Sequence, residues 1–317
     1  MSGKLLVVRL GAIGDALLAC PALAALRAAR PGDSLLLMAH PAVRELVLRH
    51  GLADRFISRD GPQADALFAP APGPARDRIG PVDAAVAWTR DADGVVRRNL
   101  AGLGAKRVVV APSRPPEGIP KHAAQHLLDT LAPLGLGGCA AEWPGFGVRA
   151  RPMPHHSGSD GDGPLVVLHL GSGSPRKNWP AERFARLADA LWQRRRARLI
   201  VLVGPSDELA FETFAREVAA PFTSLPDRPL HELSDLLSAC DLYVGNDSGL
   251  SHLAGMSGAP TLVLFGPTDP RVWRPLGSHV AVLSRASLTA LPAEAALEAA
   301  ESLLAARRAG VLRSAGD

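Results

Sequence analysis

Short apolar runs recur along the chain, each followed by a small-residue turn and then a segment whose apolar positions return at helical spacing. The first is Lys4–Leu10, leading through Gly11-Ala-Ile-Gly-Asp15 into a helical run carrying Leu17, Leu18, Leu23 and Leu26, with a kink expected at Pro21. Ser34–Ala39 then precedes Val43–His50, Ala84–Trp88 precedes Val95–Leu103, and Lys106–Val110 precedes Lys121–Leu134. Strand alternating with helix in this way predicts a parallel sheet with helices on both faces. Gly61–Asp83, rich in Pro, Ala and Gly, reads as an irregular, mobile surface excursion.

Arg151–Gly163 is short, polar and rich in Pro and Gly, and it marks the strongest domain boundary. The alternation restarts after it, with strand Pro164–Leu170 and amphipathic helix Glu182–Arg196, whose end is basic through Arg198 and complements the helix's negative pole. Strand Leu199–Val203, helix His231–Ala239, strand Pro260–Phe265 and the alanine-rich helix Ala293–Arg308 follow. Two Rossmann-like domains are therefore expected, 1–154 and 164–317.

The most informative stretch is Asp241-Leu-Tyr-Val-Gly-Asn-Asp-Ser-Gly-Leu-Ser-His-Leu-Ala-Gly255, which reads as buried strand, polar turn and helix start. Asn246, Asp247 and Ser248 thus fall at the carboxyl edge of a parallel sheet, where such folds bind ligands. Ser248 and Gly249 permit close backbone approach, and the unpaired amides of a helix start favour a phosphate. Asp247 either caps that helix or faces a hydroxyl or a cation. A second strand, loop and helix unit holds Gly171-Ser-Gly-Ser-Pro-Arg-Lys-Asn-Trp-Pro180, placing Arg176 and Lys177 beside Ser172 and Ser174. This is the chemistry of a diphosphate clamp, without the spacing of a P-loop.

Gly11 and Gly14 do not complete a dinucleotide fingerprint, which weakens a dehydrogenase reading. Asp15 reads either as a helix cap or as a base at the strand edge. Asp207 or Glu208 could accept hydrogen bonds from a ribose, or simply favour a helix start. Gly266-Pro-Thr-Asp-Pro270 opens on the same edge as Asp247.

Composition narrows the class. At 317 residues with 47% apolar and 21% charged, the chain has the balance of a soluble, two-domain globular protein. Its formal charge is only +4 and no basic patch is interleaved with aromatics, so nucleic acid is not implied. Lys177 is one of only four lysines, with Lys4, Lys106 and Lys121. Cys20, Cys139 and Cys240 are isolated, fitting a reducing, cytoplasmic compartment and no zinc spacing. Leu17-Leu-Ala-Cys20 resembles a lipoprotein cleavage site, but Arg9 and Asp15 interrupt the apolar run before it. No apolar stretch approaches the ~20 residues that span a bilayer. Asp91-Ala-Asp93 and Asp160-Gly-Asp162 read as capping and solvated linker rather than metal sites, and His155-His156 has no third ligand in view. Arg90, Arg97, Arg98, Arg114 and Lys121 read as solvated surface before contacts to an anionic acceptor.

Four motifs in order, Arg-Leu-Gly-Ala-Ile-Gly-Asp15, Gly-Ser-Gly-Ser-Pro-Arg-Lys-Asn-Trp-Pro180, Asn-Asp-Ser-Gly-Leu-Ser-His252 and Phe-Gly-Pro-Thr-Asp-Pro270, resemble the ADP-heptose:lipopolysaccharide heptosyltransferases. The resemblance spans nearly the whole chain and implies an α/β GT-B architecture, with two Rossmann-like domains facing a cleft. The acceptor would bind the N-terminal domain and the nucleotide-sugar donor the C-terminal one, with the last helix packing back on the N-terminal domain. It implies inverting, metal-independent transfer of heptose from ADP-heptose to a lipid-linked or core-oligosaccharide acceptor, with at most peripheral contact with the inner membrane and no cofactor. Asp15 would be the general base on an acceptor-side loop with Gly11 and Gly14, and Lys177 the cation on the diphosphate. Ser172, Ser174, Arg176, Glu208, Asp247, Ser248, Gly249, Leu250 and His252 would bind the donor. Another nucleotide-sugar donor, or a non-catalytic nucleotide-binding module, is the alternative.

Overall fold

The computed structural model describes residues 3–71, 73–143, 145–146 and 163–309, which form two compact units, Met1–Glu142 and Trp143–Asp317. The expected linker lies outside the described residues except for Gly163, and with it Asp160, Asp162, His155 and His156. Trp143 Nε1 and the Phe146 amide both donate to the Met256 carbonyl, at 3.2 and 2.8 Å, within the second unit.

The first unit is built on β1 (Lys4–Arg9), β2 (Ser34–Ala39), β3 (Arg55–Ser58), β4 (Ala84–Trp88) and β5 (Arg107–Ala111), all parallel, in the order β3-β2-β1-β4-β5. Leu5–Val8 are apolar in succession because central strands of a parallel sheet are covered on both faces. The second unit carries β6 (Leu165–His169), β7 (Arg198–Val203), β8 (Phe222–Pro226), β9 (Leu242–Asn246), β10 (Thr261–Phe265) and β11 (Val280–Ser284), parallel in the order β11-β10-β9-β6-β7-β8.

Both sheets grow outward from their first strand and then return to its other side. The strand order therefore reverses between β1 and β4 in one unit and between β6 and β9 in the other. At such a reversal the loops leave in opposite directions and open a crevice at the carboxyl ends of the strands, where open α/β sheets bind ligands. The segment around Asp15 follows β1, and the segments around Lys177 and Asp247 follow β6 and β9. Topology, more than any single motif, brings these residues to crevices.

Two expectations are corrected. Gly61–Asp83 is not irregular: it contains helices Pro62–Phe68 and Pro74–Asp77, and Ala64, Leu67, Ile79 and Val82 are buried in one cluster with Val96 and Leu100. Each proline sits in a first turn, where its missing N–H costs nothing. Buried Asn99 donates to the Leu67 and Ala69 carbonyls at 2.9 Å, satisfying the first helix's end. Pro21 likewise does not kink one helix but opens a second, Cys20–Ala29, after the short helix Ile13–Leu17.

Helix Ala293–Arg308 packs within the second unit against helix Ala181–Arg195 and β9, β10 and β11, burying Ala296, Leu297, Ala300 and Leu304. The chain before it is fixed by Trp179 Nε1, which donates to the Leu291 carbonyl at 2.9 Å, and by Arg183, which donates to the Leu288 and Leu291 carbonyls.

Candidate functional site

At the β6/β9 reversal, Asn246 is the anchor. It is fully buried; its Oδ1 accepts the Trp179 amide at 2.9 Å, and its Nδ2 donates to the Leu170 carbonyl at 2.7 Å. One side chain at the end of β9 thus holds both ends of the loop that follows β6. Within that loop, Ser172 Oγ lies 2.8 Å from the Ser174 carbonyl and 2.6 Å from Asn178 Oδ1. Gly173 has open space where a Cβ would be, and Arg176 is exposed.

Lys177 is delivered from this loop to Asp247, with Nζ 2.7 Å from Oδ2. The same oxygen accepts Thr268 Oγ1 at 2.7 Å, so the segment after β10 joins the site. Asp247 is nearly buried, whereas the Lys177 side chain keeps 30% of its exposure. The ammonium therefore has donors left for an anion after satisfying the carboxylate. Of the two readings of Asp247, its partners are a cation and a hydroxyl; the cap is Ser248, whose Oγ accepts the Ser251 amide of helix Gly249–Met256.

Beneath these groups runs a buried polar chain. His169, at the end of β6, places Nε2 3.1 Å from Asp207 Oδ2 and Nδ1 3.3 Å from Ser248 Oγ. Asp207 Oδ2 also accepts the Gly204 amide at 2.8 Å. Burial alone would raise the Asp207 carboxyl's pKa; the His169 hydrogen bond and charge and the Gly204 amide outweigh it and hold it below the usual carboxylate range. Tyr243 OH meets Ser251 Oγ at 3.1 Å, Ser251 Oγ donates to the Asn246 carbonyl, and burial pushes the Tyr243 phenol's pKa up. A Cβ on Gly171 would run into the Asp207 carboxylate, so glycine there leaves that side chain in place against His169. Asp207 is thus engaged inside the fold, while Glu208 is exposed on the first turn of helix Glu208–Glu217. Gly249 and Leu250 are half-buried and His252 is buried within its helix.

In the first unit, Asp15 lies in the first turn of helix Ile13–Leu17. Its Oδ2 accepts the Ala12 amide at 2.9 Å and its Oδ1 accepts Arg9 Nη2 at 2.8 Å. Arg9 is buried, and burial lowers its pKa, partly offset by Asp15 and reinforced by Arg114. A Cβ on Gly11 would stand 2.5 Å from Asp15 Oδ2, so glycine there makes room for the carboxylate. Arg59 Nη1 donates to the Leu10 and Gly11 carbonyls at 2.8 and 2.6 Å and fixes the turn; Gly14 lies within the helix. Asp15 is a cap, and its side chain also keeps 20% exposure and unused lone pairs. Of the surface cations, Arg97 and Arg98 donate to the Val108 and Asp93 carbonyls, Lys121 pairs with Asp129, and Asp91 caps the helix that starts at Val95.

The structure brings Ser172, Ser174, Lys177, Asp247 and Ser248 to one sheet edge and leaves Glu208 and Arg176 on the surface. It adds partners that the sequence analysis gave no role: His169, outside every motif, and, within the motifs, Asn246 as an anchor, Thr268, and Arg9 in the first unit. His169 had one signal, a polar residue closing an otherwise apolar strand. Among the described residues, no group of three or more His, Cys, Asp or Glu side chains is placed to hold a metal ion. Among the same residues, no helix is long and apolar enough to cross a membrane.

Two parallel sheets, each reversing its strand order beside its first strand, define a doubly wound α/β protein. The profile of glycosyltransferase family 9 (heptosyltransferase) matches residues 139–302, just over half the chain, and the chain belongs to that family. It is 30% identical to lipooligosaccharide heptosyltransferase 2 of Haemophilus influenzae over 130 residues, 39% of this chain and 37% of that protein. The match covers less than half the length of the curated relatives. Among solved structures, a glycosyl transferase family 9 protein from Veillonella parvula superposes with TM-score 0.79 at 20% identity, over 96% of this chain and 97% of that one. E. coli heptosyltransferase WaaC with ADP superposes with TM-score 0.70 at 21% identity, over 95% and 99%. The chain shares the two-sheet α/β GT-B fold of these structures.

Proposed function

We propose that the chain is an inverting glycosyltransferase that moves heptose from ADP-heptose to a lipopolysaccharide inner-core or related glycan acceptor, without a catalytic metal. The second unit takes the donor and the first the acceptor. The observation that carries this reading is the Lys177–Asp247–Thr268 cluster, 2.7 Å at each link, on a loop pinned by Asn246 at the β6/β9 reversal. A diphosphate needs positive charge as it departs, and Lys177 supplies it from a preorganised position. Asp247 keeps that ammonium oriented, and the Ser248–Leu250 helix start offers amides to the phosphates. On the acceptor side, inversion needs one base on the face opposite the leaving group. Asp15 fits this role: Arg9 and the Ala12 amide fix the carboxylate, and its exposed lone pairs accept the hydroxyl proton. Family membership and the ADP in the E. coli neighbour support an adenine donor.

The test is a calorimetric titration of the purified protein with ADP, UDP, GDP and CDP, with and without chelator, followed by turnover of ADP-heptose. Chelator-insensitive preference for ADP and release of ADP with glycoside are expected. Preference for UDP or GDP would move the donor to another sugar nucleotide, and binding without turnover of any donor would make the chain a nucleotide-binding module.

A further inference from the structure

The geometry points to His169 as a positioning residue that decides which way the Ser248 hydroxyl donates, so that binding of a nucleoside diphosphate is coupled to proton uptake on His169. This rests on the donor-site reading above.

Asp207 is a carboxylate that already accepts the Gly204 amide, and a carboxylate can only accept. The proton of the His169–Asp207 contact therefore belongs to His169 Nε2. In the neutral ring Nδ1 is then an acceptor, and the Ser248 hydroxyl, 3.3 Å away, donates to it. Ser248 has a single proton. While it points down to His169, the hydroxyl presents only lone pairs at the start of helix Gly249–Met256, the wrong polarity for a phosphate. When His169 takes a second proton from solvent, both ring nitrogens donate. Ser248 Oγ must then accept from Nδ1, which frees its own proton for the bound anion, with Ser251 Oγ at 3.4 Å the competing acceptor inside the fold. No covalent bond changes; one proton moves from water to Nδ1.

The surroundings favour this coupling. Histidine is the side chain whose charge changes near neutral pH, and a nearby anion stabilises its charged form. The groups against the ring are Asp207 from the segment before helix Glu208–Glu217 and Ser248 from the start of helix Gly249–Met256, with Ser251 reached through Ser248 at 3.4 Å. Tyr243 of β9 stays protonated, and the Lys177–Asp247 ion pair adjoins Ser248 in the chain. Asp207 sets a carboxylate against Nε2 in a site where His169 is only 6% exposed, so the ring faces a countercharge rather than apolar surroundings. The chain ties together the ends of β6, β7 and β9, so its protonation acts where the candidate phosphate groups converge.

The experiment is calorimetry of ADP binding to the full-length protein near neutral pH, in two buffers of different ionisation enthalpy, which reports protons taken up per ADP bound. The terminal phosphate of ADP titrates in the same range, equally for every variant, so differences are read. Wild type is expected to take up a fraction of a proton more than His169→Gln, and Ser248→Ala to lose part of that excess. Asp207→Asn, which removes the balancing charge, shifts the maximum of uptake to lower pH, an effect that a merely structural role would not produce, and it keeps the test intact should His169→Gln fail to fold. Equal uptake in wild type and His169→Gln with ADP still bound, or an unshifted maximum in Asp207→Asn, overturns the inference alone. Absence of ADP binding in wild type, or binding indifferent to Lys177→Ala, overturns the donor-site reading, and the inference falls with it.

Discussion

Lys177 and Asp247, seventy positions apart in the chain, meet at 2.7 Å between Nζ and Oδ2 at the point where the second sheet reverses its strand order. The pair is asymmetric, with a nearly buried acid and a base that remains partly in solvent. Screening makes an exposed ion pair worth little for stability. Its value lies in aim: the acid fixes the direction of an ammonium that has two further protons to give.

Lys177→Ala is expected to slow transfer by about 2–4 kcal/mol of barrier, the range for losing one preorganised electrostatic donor. It should also weaken ADP binding. Steady-state kinetics with a saturating acceptor reads the first and calorimetry the second. An unchanged rate would assign the diphosphate to Arg176 or to helix amides instead.

Asp15→Asn keeps the shape of the turn, since its side-chain oxygen still accepts the Ala12 amide, but removes the base. Transfer is expected to disappear while ADP binding survives. Turnover at the wild-type rate would refute the assignment of Asp15.

Asn246→Ala strips a fully buried side chain that satisfies three backbone groups, leaving the Trp179 amide and the Leu170 and Gly171 carbonyls without their partner. Each buried group left unpaired costs about 1–3 kcal/mol. The expected outcome is a lower urea midpoint and lost ADP binding together, because the loop that carries Lys177 loses both its moorings. A variant as stable as wild type would show that the loop is held by other contacts.

Gly171→Ala drives a methyl group into Asp207, and the Asp207 side chain has to leave His169. Overpacking of this kind costs about 1–3 kcal/mol. Combining it with Asp207→Ala should recover part of the loss, read as a coupling energy in a double-mutant cycle. Strictly additive losses would disprove the contact.

Stability should depend on acid through Asp207. Its folded pKa lies below the ordinary carboxylate value, so the native state binds fewer protons than the unfolded chain. The stabilisation is present above the unfolded carboxylate pKa and is lost as pH falls through the folded one. The stability advantage of wild type over Asp207→Asn should therefore shrink as pH falls below the ordinary carboxylate range. Urea midpoints measured across that range check the sign, and a gap that widens in acid would reverse it.

The sequence by itself determined the class of fold, because strands covered on both faces must be apolar throughout, as in Leu5–Val8 and Leu165–Leu168, and because each is followed by a helical period. It also marked the strand-to-helix turns that hold Asp15, Lys177 and Asp247, since glycine and serine are needed wherever backbone must approach an anion or a carboxylate. It did not announce β3, β8 and β11. These are edge strands whose residues are largely half-exposed, so their composition is mixed and their period weak. Nor did it reveal the helices within Gly61–Asp83, where small alanines fill the core without a strong hydrophobic signal.

Tertiary structure alone decided the partners. Which strand lies beside which follows from the long-range register of the sheet, and only the adjacency of β6 and β9 brings Lys177 to Asp247, Asn246 to Trp179 and His169 to Ser248. A residue type limits what a side chain can donate or accept; the residue it faces across a sheet reversal is fixed by packing of the whole unit, which no local pattern encodes.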